Sequence, residues 1–167
     1  GGVSIFALQM ARSMGARVIA TTSSAAKAER LRAMGAEHVI NYRETPDWGD
    51  AVLAVTGGRG ADIVVEVGGP GSLPQSMRAT ALGGHIALLG VLAGFAGDVL
   101  PGELMRTQQT LQGLIVGSRE HQQDLVRALN TVSWRPVIDR SFPLEGMAEA
   151  FALQASGQHF GKICLTY

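Results

Sequence analysis

The residues best suited to chemistry stand at the very start of the chain. Gly1-Gly2-Val3-Ser4 runs straight into an amphipathic helix, which a strand, Arg17-Val18-Ile19-Ala20-Thr21, follows. Free amides of Gly2, Val3 and Ser4, together with the positive end of a helix dipole, suit an anionic diphosphate. This spacing is the second half of a dinucleotide-binding turn, and the strand that should lead into it would lie before Gly1.

Four further apolar runs end in small or hydroxyl residues: Thr21-Thr22-Ser23, Val67-Gly68, Gly90-Val91 and Val116-Gly117-Ser118. In open α/β sheets ligands bind beyond the carboxyl ends of the strands, where small residues let a flat ligand lie on the backbone. About twenty residues past the glycines a ribose-binding acid would mark NAD. That place holds Thr21, Thr22, Ser23 and Ser24, with Lys27 one turn on and Tyr42-Arg43 closing the next strand. Hydroxyls plus a cation suit a ribose 2′-phosphate, which favours NADP, with NAD the alternative.

The elements that must position these groups follow from periodicity. Val3, Phe6, Ala7, Met10, Ala11 and Met14 recur at helical spacing and mark the expected apolar face of the first helix. Strands are expected at 18–21, 38–42, 63–67, 85–90 and 111–116, with helices between them. The β-branched run Ile63 to Val67 predicts a strand buried on both faces. The alternation implies right-handed crossovers and a parallel sheet. Past Asn130 the pattern changes to an extended link through Arg135-Pro136-Val137-Ile138 and Phe142-Pro143, a helix over 145–155 and a final strand from Lys162 to Tyr167.

Composition narrows the function. The 167 residues include 46% hydrophobic and 17% charged side chains, with 14 basic against 14 acidic groups and no net charge. Such a balance argues against nucleic acid or an anionic membrane as the main partner. No apolar stretch has spanning length, and the single cysteine, Cys164, fits a reducing, cytoplasmic setting. His38, His85, His121 and His159 lack metal-ligand spacing, so no metal site is assigned. Glu66 is expected to be a hydrogen-bonded core acid rather than a general base, and Cys164 a packing residue. No catalytic side chain is assigned.

Taken in order, Gly-Gly-Val-Ser, Val-Ile-Ala-Thr, Met-Gly-Ala-Glu-His-Val-Ile-Asn-Tyr, Thr-Gly-Gly-Arg-Gly-Ala-Asp, Gly-Gly-His-Ile-Ala-Leu-Leu-Gly and Phe-Gly-Lys-Ile resemble one family. It is the cofactor-binding domain of the medium-chain dehydrogenase/reductase superfamily, on its zinc alcohol dehydrogenase and quinone oxidoreductase side. The resemblance implies an α/β, Rossmann-type doubly wound parallel sheet, here lacking its first strand. Residues 1–135 would form the NAD(P)-binding domain, and 136–167 would return to a missing catalytic domain.

The resemblance also distributes roles. Gly1, Gly2 and Val3 would bind the pyrophosphate, with Ser4 standing where a glycine is usual. Ser23, Lys27 and Tyr42 would hold the adenosine phosphate. Val67, Gly90, Val91 and Leu92 would line the adenosine and nicotinamide ends, Val116 and Ser118 the carboxamide, and Lys162 the phosphates. The edge Leu111 to Val116 would pair two copies into a homodimer. Zinc would depend on ligands carried by the missing catalytic domain.

The implied activity is hydride transfer between nicotinamide and an alcohol, aldehyde, ketone or quinone, with the fragment alone inactive. The alternatives are an enoyl-reductase domain and a non-catalytic nucleotide-binding module. In the strand order 3-2-1-4-5-6 the strand before Gly1 is central, so its two neighbours are expected to lack a shared partner. The centre would be frayed, or Lys162 to Tyr167 would fill it.

Overall fold

The computed structural model describes residues 1–167. In chain order its elements are α1 (Gly2–Ser13), β1 (Ile19–Thr22), α2 (Ala25–Ala33), β2 (His38–Asn41), α3 (Trp48–Val55), β3 (Ala61–Glu66) and α4 (Leu73–Ala79). There follow β4 (Thr80–Leu88), α5 (Pro101–Thr107), β5 (Thr110–Gly113), α6 (Arg119–Leu129), β6 (Ile138–Pro143), α7 (Met147–Ser156) and β7 (Lys162–Thr166). No helix is long and apolar enough to cross a membrane. The chain divides into two compact units, Val18–Arg119 and Gly1–Arg17 with Glu120–Tyr167.

In the unit Val18–Arg119 every strand pair is parallel, as the alternating pattern requires. β1 pairs with β2 from Ile19 opposite His38 to Thr22 opposite Asn41. β3, β4 and β5 form a second sheet in that order. No ladder joins β1 to β3, so the sheet is divided where the sequence expects two strands to lack a shared partner.

Packing bridges the division. Ile40, Val52 and Ala79 form a buried cluster against which Ile19 of β1 and Ala61 of β3 both rest. Leu73, Met77 and Ile86 form a second cluster that α4 presses onto β4.

The other unit holds α1, α6, β6, α7 and β7. Its strands β6 and β7 pair in parallel, with α7 as the crossover. Phe6 of α1 meets Trp134 edge to face at 5.9 Å.

Several expectations are corrected. Lys162–Thr166 does not fill the divided sheet; it pairs with β6. Backbone geometry directs it there: Gly161 turns at φ +102°, and the Lys162 N–H donates to the Val137 carbonyl at 2.8 Å. The supposed extended link is therefore partly a strand, β6. The last strand of the larger sheet is Thr110–Gly113, not Leu111 to Val116. β4 supplies ladder partners only as far as Leu88, opposite Gly113. In β3 the side chains of Ile63 and Val65 are 68% and 40% exposed, so this strand is not buried on both faces. α1 buries Ile5 and Leu8, whereas Val3 and Met14 of the expected face are exposed.

Candidate functional site

At the head of α1 the Gly1 carbonyl accepts from the Ile5 N–H at 3.2 Å, closing the first turn. The Lys162 side chain lies across that turn. A Cβ built on Gly2 would stand 2.8 Å from Lys162 Nζ. The ammonium also sits 5.4 Å from the centre of the Phe6 ring, a cation–π contact. A lysine charge adds to the positive helix end instead of neutralising it, which makes this place attractive to an anion. Beside it lies an open cleft of about 320 Å³, lined in part by Gly2, Met147, Phe151, His159, Lys162 and Ile163. His159 Nδ1 is buried there without a hydrogen-bond partner. Val3 is exposed.

A second group gathers where β1 and β2 end. Thr22 lies opposite Asn41 in register, and the Tyr42 N–H donates to the Thr22 carbonyl at 3.0 Å. The residues following each strand are thereby laced together. Ser24, rather than Ser23, caps α2: its Oγ accepts from the Lys27 N–H at 3.3 Å. The Ser23 hydroxyl is thus not the cap. Ser23, Lys27 and Tyr42 share one end of this strand pair, and no acid lies among Thr21 to Ser24.

The ends of β3 and β4 make the tightest backbone approach. A Cβ on Gly90 would meet the Val67 carbonyl oxygen at 2.4 Å, and one on Gly69, at φ +79°, would meet Val91 Cα at 2.9 Å. The Leu89 N–H donates to the Glu66 carbonyl at 2.8 Å, and the Ala93 N–H to Gly68 at 2.9 Å. The backbone of Val67, Gly90 and Val91 therefore forms one surface. Leu92 extends from it into solvent.

Glu66 explains why this surface holds its shape. Its buried Oε1 accepts from the amides of Gly68 (2.6 Å) and Gly69 (3.0 Å) and from Ser72 Oγ (2.6 Å). The other oxygen, Oε2, accepts from Ser76 Oγ. With four donors around it the acid is a structural hub, as the sequence reading holds. Gly69, Ser72 and Ser76 were not singled out there. Their signal is the spacing Glu-Val-Gly-Gly-Pro-Gly-Ser-x-x-x-Ser from Glu66.

Val116 and Ser118 are not gathered into a packed wall. The Leu114 N–H donates to the Leu88 carbonyl at 2.9 Å, after which the backbone leaves the sheet and Val116 is 89% exposed. No three His, Cys, Asp or Glu side chains stand close enough together to hold a metal ion.

Parallel strands alternating with helices and ending in close-packed glycines define a dinucleotide-binding type of α/β domain. The model of the zinc-binding dehydrogenase family matches residues 2–133, and the chain belongs to that family. It is 38% identical over 169 residues to a zinc-type alcohol dehydrogenase-like protein of Schizosaccharomyces pombe, covering 99% of this chain and 49% of that protein. A putative alcohol dehydrogenase from Sinorhizobium meliloti 1021 superposes with a TM-score of 0.92 at 42% identity, covering all of this chain and 48% of that one. A NAD-dependent alcohol dehydrogenase gives 0.91 at 36%, with the same coverage of both chains. A crotonyl-CoA carboxylase/reductase, AntE, in complex with NADP gives 0.88 at 26%, covering 99% of this chain and 47% of that one. The chain thus spans about half the length of the proteins it matches, and it shares their Rossmann-type fold.

Proposed function

We propose that this chain is the NADP(H)-binding part of an oxidoreductase of the alcohol dehydrogenase and quinone reductase type. Residues 1–135 are the coenzyme-binding domain, and 136–167 are the segment that returns to a catalytic domain. The observation that carries the reading is the Lys162 ammonium lying against Gly2 at the head of α1. When bound, the nicotinamide supplies hydride transfer to or from an alcohol, aldehyde, ketone or quinone carbonyl.

The residues of this chain bind and orient. Gly1, Gly2 and Val3, with Lys162, take the diphosphate. Ser23, Lys27 and Tyr42 take the 2′-phosphate. Val67, Gly90, Val91 and Leu92 line the adenosine and nicotinamide ends, where the glycine at 90 leaves no side chain in the way. Val116 and Ser118 supply backbone and hydroxyl groups for the carboxamide.

One structural neighbour is NAD-dependent and another holds NADP, so the choice rests on this chain's own residues. Thr21 to Ser24 offer no acid to a ribose 2′-hydroxyl, and Lys27 supports a phosphate there. The exposed edge of β5 is proposed as the contact of a homodimer, and the cytoplasm as the compartment. A monomer at micromolar concentration in sedimentation would count against the dimer.

Fluorescence titration of the chain with NADPH and NADH tests the coenzyme assignment. NADPH is expected to bind more tightly. Tenfold tighter binding of NADH overturns the NADP assignment, and binding of neither overturns the nucleotide reading.

A further inference from the structure

Apart from Thr22, the buried polar and charged side chains are Glu66, Ser76 and Thr80, and all three fall on one line of hydrogen bonds. The line starts at the amides of Gly68 and Gly69, which donate to Glu66 Oε1 next to the Val67 and Gly90 backbone. Glu66 Oε2 accepts from Ser76 Oγ of α4. The Ser76 carbonyl accepts from Thr80 Oγ1 at 2.6 Å. Gln109 completes the line: its Nε2 donates to the Thr80 carbonyl at 3.0 Å and to the Met77 carbonyl at 2.9 Å.

Gln109 stands directly before β5, whose first residue, Thr110, lies opposite His85 of β4. Gln108, the residue before it, takes the left-handed conformation at φ +54°, which side chains disfavour. While Nε2 bonds both carbonyls, the Oε1 of the same amide is buried without a partner. Interiors rarely keep an acceptor in that state, and each case asks for a reason beyond packing. Ser76 and Thr80 lie about one helical turn apart at the end of α4, so a displacement at Gln109 reaches the hydroxyl that holds Glu66.

We propose that Thr80 and Gln109 are positioning residues for the coenzyme. Acting through Ser76 and Glu66, they set the backbone from Val67 to Gly69 on which it lies, and they tie that surface to the head of β5. The part concerning the coenzyme rests on the reading under Proposed function.

The test is fluorescence titration of the 167-residue chain with NADPH, together with the NMR shifts of the Gly68 and Gly69 amides. Thr80→Val removes the hydroxyl and keeps the shape. It should shift both amides and weaken NADPH binding about fivefold, the scale of one hydrogen bond. Thr80→Ser keeps the hydroxyl and should do neither, a rescue that a packing role would not produce. Gln109→Met removes both donated bonds and should move the same amides. Val52→Ala opens a cavity in the separate cluster around Ile40, so it should lower the unfolding midpoint and leave amides and affinity alone. If the wild-type chain binds NADPH, and Thr80→Val and Gln109→Met both leave amides and affinity unmoved, the positioning role is overturned alone. Equal changes from Val52→Ala also overturn it, because general loss of stability would then suffice. A wild-type chain that binds no NADPH overturns the coenzyme reading, and this inference falls with it.

Discussion

Gly90 lies so near Val67 that a methyl group on its α-carbon would stand 2.4 Å from the Val67 carbonyl oxygen. The obstructing atom belongs to backbone, so the strain cannot be relieved by a side-chain rotation. Gly90→Ala is expected to destabilise the chain by about 1–3 kcal/mol, the range for overpacking, and to weaken coenzyme binding. Denaturant unfolding together with NADPH titration checks this. Wild-type values in both would show that the two strand ends can separate freely.

Glu66 has four donors converging on it and is 3% exposed. Glu66→Ala strands two amides and two hydroxyls, and the expected loss is about 3 kcal/mol or more. Glu66→Gln keeps one acceptor oxygen and should lose roughly half as much. A denaturation midpoint for Glu66→Ala within error of the wild type would refute the hub.

Ile86 of β4 is wholly buried against Leu73 and Met77 of α4, whereas Ile63 is largely exposed on β3. Ile86→Ala should cost about 2–5 kcal/mol, and Ile63→Ser about 0.5 kcal/mol or less. Equal losses in thermal unfolding would mean that β3 is covered in solution.

Pairing of β7 with β6 predicts a local effect of truncation. A chain ending at Phe160 should lose hydrogen-exchange protection over Ile138–Pro143 while β3 and β4 keep theirs. Protection lost first from the β1–β2 pair would restore the idea that the final strand belongs in the divided sheet.

Arg59 and Asp62 offer a pH prediction. A hydrogen bond from Arg59 holds the Asp62 carboxyl below its ordinary range, and the same contact raises the guanidinium. For an acid shifted down, the stabilisation is present above the unfolded-state value and disappears as pH falls through the folded-state value. Both groups are fully exposed, so the effect is local. Carboxyl NMR of Arg59→Gln should show Asp62 titrating higher than in the wild type; an unmoved titration would exclude the contact in solution.

Much of the larger unit is legible in the sequence because its strands are short apolar runs closed by glycine or hydroxyl residues. β6 is not legible in this way: Asp139, Arg140 and Ser141 interrupt its apolar pattern, and prolines flank it. Beyond β5, Ile115 and Val116 keep β-forming character after the ladder has ended, so propensity overruns the structure. At the site, residue types pointed to an anion at the head of α1. The position of Lys162 beside Gly2 had to come from the fold, because it depends on the turn at Gly161.

The contact between Gly2 and Lys162 implies that these two positions do not drift independently through evolution. An alanine at position 2 would press only on the far end of a flexible side chain, so folding would tolerate it while the ammonium was evicted. Among homologues, a bulkier residue at the one place should be accompanied by a shorter or uncharged residue at the other.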